Sequence, residues 1–434
     1  MTTETESTQA RTQKLEGLGT RRKRVEDVRF TQGKGNYIDD FKLPGMLFGD
    51  FVRTPYSHAR VKSISKDAAL ALPGVKAVLT AEDLKPLKLH WMPTLAGDVQ
   101  AVLADEKVLF QGQEVAFVVA EDRYVAADAV DLVEVEYEDL PALVDPNQSM
   151  AAAAPVLRDD LAGKTSGAHG PRRHHNHIFT WEVGDATGTA RAISDAPVVA
   201  TERIVYQRVH PCPLETCGCV ASMDKVDGHL TVWGTFQAPH AVRTVASLIS
   251  GIPEHKIRIV SPDIGGGFGN KVGVYPGYIC SIVASIVLGV PVKWVEDRME
   301  NLQATAFARD YHMSGEIAAT QEGRITALRV RVLADHGAFD ALFSISQATR
   351  IQIRLIGRQA PRRCLLLRRT PPNVRQVAQE GRGSVWPARA WMLGSPRRRH
   401  RAIPGVSRTV PWYGTIASGD NPKARRGAPS ASTA

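Results

Sequence analysis

Between Met46 and Ala334 the hydrophobic rhythm of the chain changes several times, and each change predicts an element. Met46-Leu47-Phe48-Gly49-Asp50-Phe51-Val52-Arg53 and Val75-Lys76-Ala77-Val78-Leu79 have the make-up of strands, with Pro73-Gly74 as a turn between elements. Val115 to Ala120 is a continuous apolar strand. From Arg123 to Val133 the apolar residues Val125, Ala126, Ala129, Val130 and Val133 fall at helical spacing, and Glu134 to Tyr137 returns to alternation. Strand, helix and strand within about 25 residues imply a small mixed α/β domain.

The second half repeats these rhythms in another order. Val242, Val245, Leu248 and Ile249 predict a helix closed by Gly251 and Pro253. Lys256-Ile257-Arg258-Ile259-Val260 alternates as a short strand, and Tyr275 to Leu288 reads as a mostly apolar helix stopped by Gly289 and Pro291. Asp310 to Thr320 and Arg324 to Ala334 are two alternating runs around Glu322-Gly323, a hairpin.

Ser261-Pro262-Asp263-Ile264-Gly265-Gly266-Gly267-Phe268-Gly269-Asn270-Lys271 fits neither rhythm. Four glycines in five positions belong where the backbone turns sharply or meets a ligand too closely for a Cβ. Strand, glycine loop and following helix can present backbone N–H groups to an anionic cofactor. Two phosphate motifs fail here. Asn270 precedes Lys271 and Val272 follows it, which breaks G-x-x-x-x-G-K-[ST], and Asn270 stands where G-x-G-x-x-G needs its third glycine. The helix predicted at 242–249 lies between Trp233-Gly234-Thr235-Phe236-Gln237-Ala238-Pro239-His240 and this loop, so the turn that ends it can bring the two together.

With His210-Pro211-Cys212-Pro213-Leu214-Glu215-Thr216-Cys217-Gly218-Cys219 and Pro291-Val292-Lys293-Trp294-Val295-Glu296-Asp297-Arg298, these stretches resemble the molybdenum hydroxylases, the xanthine dehydrogenase and aldehyde oxidase superfamily. Within it they resemble most the large, molybdenum-binding subunits of aerobic carbon monoxide dehydrogenases, from about Asn176 to about Ala341. Gly35-Asn36-Tyr37, Phe51 to Arg60 and Gln111-Gly112-Gln113-Glu114-Val115-Ala116 resemble the α/β hammerhead domain that opens such subunits. His58 and Arg60 are exposed candidates there, read as surface structure, because the family's hammerhead domain carries no chemistry.

The resemblance implies an α+β chain: an N-terminal α/β hammerhead domain, then the first part of a mixed α/β molybdopterin-binding domain. The boundaries expected are a disordered N-terminus at 1–28, the hammerhead at 29–145, a linker at 146–177, an incomplete molybdopterin-binding domain at 178–345 and a basic, disordered, non-family tail at 346–434. It implies a molybdenum–molybdopterin cytosine dinucleotide cofactor. Gln237 takes the place of the glutamine that hydrogen-bonds a molybdenum oxo ligand, where an amide donates without bringing a charge. Gly266, Gly267, Phe268 and Gly269 match the loop over the metal, with Phe268 walling the substrate pocket. Gln237 and Phe268 are thus the catalytic candidates. Partners implied are an FAD-binding medium subunit and a 2Fe-2S small subunit in a dimer of heterotrimers, which accept the electrons. Copper belongs to intact carbon monoxide dehydrogenases, but the cysteine loop that holds it and the late active-site glutamate do not occur here, and Cys364 stands outside that motif.

Charge and cysteines alter the picture at the margins. The 434 residues suit two or three domains, and 43% hydrophobic residues suffice for their cores. Five cysteines do not make a disulfide framework, so a reducing, cytoplasmic setting is expected. Cys212, Cys217 and Cys219 read as buried free thiols rather than ligands of a cluster or of zinc. His174, His175 and His177 read as a solvated loop rather than a metal site. Arg21-Arg22-Lys23-Arg24 lacks the apolar stretch of an export signal, and Ile279 to Val292 is too short and interrupted to span a membrane. The net charge of +9 hides an asymmetry: 17 Arg and 1 Lys against Glu380 and Asp420 give 18 − 2 = +16 from Arg350 onward, leaving 9 − 16 = −7 for the rest. A nucleic-acid-binding arm is one reading of that tail. Out-of-frame translation of a GC-rich gene is the other, and it is preferred, since an arm would not replace half an enzyme. The functions expected are therefore a carbon monoxide dehydrogenase-like chain inactive alone, an aldehyde or N-heterocycle hydroxylase, or a basic-tailed binding protein.

Overall fold

The computed structural model describes residues 23–339 apart from 95–97, 165, 168, 169, 172, 179 and 181. Residues 1–22, the tail 346–434 and Cys364 lie outside the described residues. The expected α+β architecture is present, built on a mixed seven-stranded sheet.

The first half supplies β1 (Leu47–Arg53), β2 (Ala59–Ser65), α1 (Asp67–Ala71), β3 (Val75–Thr80), β4 (Glu114–Ala120), α2 (Arg123–Val130) and β5 (Glu134–Asp139). β4 is buried at every position, the apolar run from Val115 to Ala120 as its composition requires and Glu114 at its start in a pair with Arg53. α2 is shorter than the periodicity suggests and ends at Val130, while Val133 still packs into the same cluster with Val52, Val78 and Val118.

The second half adds α3 (Ala186–Ser194), β6 (Val198–Tyr206), β7 (Gly218–Met223), β8 (Leu230–Gly234), α4 (Pro239–Ser250), β9 (Ile257–Val260), α5 (Pro276–Leu288), β10 (Val292–Val295), α6 (Arg298–Ala304), β11 (Tyr311–Ala319) and β12 (Ile325–Ala334). α4 and α5 end where Gly251 and Gly289 take left-handed backbone, with φ of 70° and 69°. β11 and β12 form the expected hairpin, and β6 pairs with β11 to complete a three-stranded antiparallel sheet.

The large sheet runs β9-β8-β7-β10-β1-β4-β3 and so joins strands from both halves. The joint is parallel pairing of β1 with β10, Leu47 opposite Val292 to Gly49 opposite Trp294. An aromatic chain crosses it: Phe117 on Phe51 at 4.6 Å, Phe51 on Trp294 at 5.7 Å, Trp294 on Tyr278 at 5.8 Å and Tyr278 on Phe236 at 4.9 Å. α5 lies on this core with residues 276 to 285 all buried, which accounts for its apolar composition.

Candidate functional site

β8 and β9 are parallel neighbours, with Trp233 opposite Val260, and α4 is the crossover between them. Their carboxyl ends therefore leave the sheet side by side, the usual place for a ligand in such a layer. β8 leads into Gln237 and β9 into the glycine loop. That parallel register, rather than the turn at Gly251, brings the two together.

Gln237 is locked to the loop. Its Oε1 accepts the N–H groups of Gly269 and Lys271, both at 3.1 Å, and its own N–H donates to the Lys271 carbonyl at 2.9 Å. With Oε1 held by two donors, the side-chain N–H groups of Gln237 are given to no acceptor among the described residues. A Cβ on Gly267 would lie 2.5 Å from Gln237 Oε1, so only glycine lets the amide approach. Gly266, Phe268 and Gly269 take positive φ of 92°, 53° and 95°. The N–H groups of Gly266, Gly267 and Phe268 form no hydrogen bond within the described residues. Three consecutive N–H groups without a partner are a donor row of the kind that anions meet in loops with positive φ. The Phe268 ring stands beside it, 77% exposed. The helix contributes no donors: α5 starts only at Pro276, after the short turn Asn270–Val272.

Three anchors hold the loop. Glu215 accepts the Gly265 N–H at 2.7 Å and pairs with the buried Lys271 ammonium at 2.9 Å. Asp263 pairs with Arg29 and accepts the Asn36 N–H at 2.8 Å; the guanidinium first, then that N–H, hold its carboxyl at about 2. Asn270, fully buried, donates to Thr305 Oγ1 at 2.7 Å and to the Ala306 carbonyl at 3.3 Å, and accepts from Asn301 Nδ2 at 3.3 Å. Asn301 donates also to Glu296 at 2.8 Å, whose same oxygen takes the Cys217 N–H at 3.1 Å. Burial pushes the Glu296 carboxyl up to about 7, against the pull of the Asn301 and Cys217 hydrogen bonds. His210, at the far end of this network through Thr305 at 2.9 Å, is lowered, chiefly by burial.

Glu215 and Glu296 lie inside stretches that the sequence singles out, but nothing in spacing marks them as anchors. Asn270, Asn301 and Thr305 carry no periodic signal at all. Other expectations are corrected. His58 is buried, with Nδ1 on the Pro141 carbonyl at 2.8 Å, while Arg60 is exposed and faces Glu138. Cys217 and Cys219 are buried free thiols, and burial raises Cys219 to about 12, but Cys212 is exposed. The 174–177 histidines are half-buried rather than solvated, with His175 on the Ala154 carbonyl at 3.2 Å and His177 at 2.8 Å from the Thr180 hydroxyl. A cleft of about 1690 Å³ touches the loop at Gly269 and continues past Tyr275 and Phe307; Gln237, Gly267 and Phe268 do not line it.

Residues 32–141 match the aldehyde oxidase and xanthine dehydrogenase a/b hammerhead domain, and residues 169–357 match the molybdopterin cofactor-binding domain. The second match passes Ala341, where the resemblance had been expected to stop. The chain is 71% identical over 331 residues to the carbon monoxide dehydrogenase large chain of Afipia carboxidovorans, covering 76% of this chain and 41% of that one. It is 36% identical over 338 residues to the nicotine 6-hydroxylase large subunit of Paenarthrobacter nicotinovorans, covering 74% and 38%. The solved structure of reconstituted CO dehydrogenase from Oligotropha carboxidovorans superposes with a TM-score of 0.74 at 71% identity, covering 77% of this chain and 42% of that one. The chain thus spans about two fifths of the length of the curated relatives it matches.

Proposed function

Because this chain belongs, through residues 32–141 and 169–357, to the xanthine dehydrogenase and aldehyde oxidase superfamily of molybdenum hydroxylases, we propose that it serves as part of the large, molybdenum-binding chain of a carbon monoxide dehydrogenase. The observation that carries this reading is 71% identity over 331 residues, against 36% to the nicotine hydroxylase subunit. The reaction would convert carbon monoxide and water into carbon dioxide, two protons and two electrons.

The loop fits the cofactor that this family uses. Unpaired N–H groups at Gly266, Gly267 and Phe268, beside a Gln237 amide that packs where a Cβ at Gly267 would stand, suit an anionic, oxygen-rich group. A molybdenum–molybdopterin group would supply the oxo-transfer centre and take up the two electrons. Gln237 would donate Nε2–H to an oxo ligand without adding charge, and the two hydrogen bonds on Oε1 fix that donor's direction. Gly269 contributes by holding Gln237, and the Phe268 ring would wall the substrate side and exclude water.

The cytosine dinucleotide form of the cofactor, an FAD-binding medium subunit and a 2Fe-2S small subunit in a dimer of heterotrimers, and a cytoplasmic setting complete the proposal. No residue of this chain is assigned to copper. The test is a chimera in which residues 32–339 replace the matching stretch of the Afipia carboxidovorans large chain. Retained molybdenum and carbon monoxide oxidation are expected; a folded chimera that keeps molybdenum yet oxidises only N-heterocycles or aldehydes would favour the second hydroxylase reading. The +16 charge from Arg350 onward favours a third, nucleic-acid binding. Salt-dependent DNA binding lost on deleting 350–434 would support it, and molybdenum retained by the pure chain would count against it.

A further inference from the structure

Besides the Arg29 and Asn36 contacts to Asp263, one more arginine of the hammerhead half reaches the helix that braces the glycine loop. Arg53, at the end of β1, is 9% exposed and donates Nε to Glu300 at 2.7 Å and Nη1 to Glu114 at 2.9 Å and to the Gly112 carbonyl at 2.8 Å. Burial works against its charge, but the two carboxylates outweigh it and hold the guanidinium ionised. Glu300 belongs to α6, where its other oxygen accepts the Asp297 N–H at 2.9 Å while Asp297 accepts the Glu300 N–H at 2.7 Å, a reciprocal capping box. One carboxylate therefore joins β1 to the first turn of α6. A second contact sets the same distance: a Cβ on Gly112 would lie 2.9 Å from Gln303 on α6, leaving no slack between the two elements.

The next residue on α6, Asn301, is the one that holds Asn270 and Glu296. Its carbonyl also takes the Thr305 hydroxyl at 2.6 Å, and Thr305 receives the Asn270 amide. Asn270 lies between Gly269 and Lys271, the two residues whose N–H groups fix Gln237. The route is thus continuous: Arg53, Glu300, α6, Asn301, Asn270, Gln237. Hydrogen bonds join Arg53 to Glu300, Asn301 to Asn270, and the Gly269 and Lys271 N–H groups to Gln237, while peptide bonds carry the route from Glu300 to Asn301 and from Asn270 to its two neighbours; at the buried bonds a lost partner is expensive.

We infer that Arg53 is a positioning residue for Gln237, acting from the hammerhead half through Glu300 and Asn301 on the buried side chain of Asn270. It touches no cofactor or substrate. Its effect is to fix where the two amides beneath Gln237 stand, and hence where the Gln237 donor points. The inference rests on the reading of Gln237 as a cofactor contact, but the geometry of the loop can be measured without cofactor.

The experiment is hydrogen exchange by mass spectrometry on the full 434-residue chain, following peptides that cover 264–274. Glu300→Gln keeps the shape of the side chain and removes the charge that Arg53 needs, and Arg53→Met removes the source of the coupling. Each is expected to speed exchange at Gly269 and Lys271 by about tenfold. Arg53→Lys should restore part of the protection, because an ammonium can still pair with Glu300 but cannot serve both carboxylates and Gly112. Val108→Ala, in a separate hammerhead cluster with Ala59, Ala104 and Val115, lowers global stability and should leave the loop unchanged. If Arg53→Met does not fold, Glu300→Gln decides. Unchanged exchange at 264–274 in Glu300→Gln, or an equal rise in Val108→Ala, overturns the inference. Molybdenum retention in the chimera reports separately on whether Gln237 meets a cofactor.

Discussion

Gly267 and Glu296 show how single atoms limit this site. A methyl group on Gly267 must displace Gln237 Oε1 from 2.5 Å, and through it the hydrogen bonds to Gly269 and Lys271. Gly267→Ala is expected to cost about 1–3 kcal/mol and to strip molybdenum from the chimera, read by metal analysis and by a melting temperature a few degrees lower. Glu296 acts through its proton. Burial raises its carboxyl from 4.5 to about 7, so the folded chain binds that proton more tightly than the unfolded one. The stability it contributes is fully present below pH about 4.5 and is lost as pH rises through about 7, a change of about 3 kcal/mol at most. Glu296→Gln, which can keep the hydrogen bonds from Asn301 and Cys217, should flatten this part of the pH profile and melt higher than the parent at pH 8. Equal slopes for the two proteins between pH 5 and 8 would contradict it.

At the scale of elements, α5 and β10 meet where a Cβ on Gly277 would fall 2.2 Å from the Trp294 ring, inside contact distance. Gly277→Ala should push the helix off the sheet and destabilise by about 1–3 kcal/mol, measurable as a lower denaturant midpoint at unchanged slope. The elements themselves were largely legible from local rhythm. β1, β3, β4, α4, α5 and the β11–β12 hairpin follow alternation, helical spacing and glycine stops, because each pattern is enforced over neighbouring residues. Their arrangement was not. β1 meets β10 across nearly the whole described chain, and no local pattern encodes that pairing. The site divides the same way. Gln237 and the glycine loop stood out by motif, whereas Asn270, Asn301 and Glu296 become a network only after folding buries them together. His58 was expected at the surface, yet folding buries it with Nδ1 on the carbonyl of Pro141, 83 residues away in the chain, a contact no local pattern encodes.

For the whole molecule, the chain spans about two fifths of its curated relatives, and the late glutamate and cysteine loop implied by the resemblance were expected to be missing from it. The pure 434-residue chain is therefore expected not to reduce an electron-accepting dye with carbon monoxide as donor; measurable turnover would contradict that. Nicking is the remaining consequence. A protease that cuts between 146 and 177 severs the backbone but leaves β1 bonded to β10 and Phe51 against Trp294. The two pieces should travel as one particle on a sizing column and part only in denaturant, so a gel of fragments would overstate how separable the halves are.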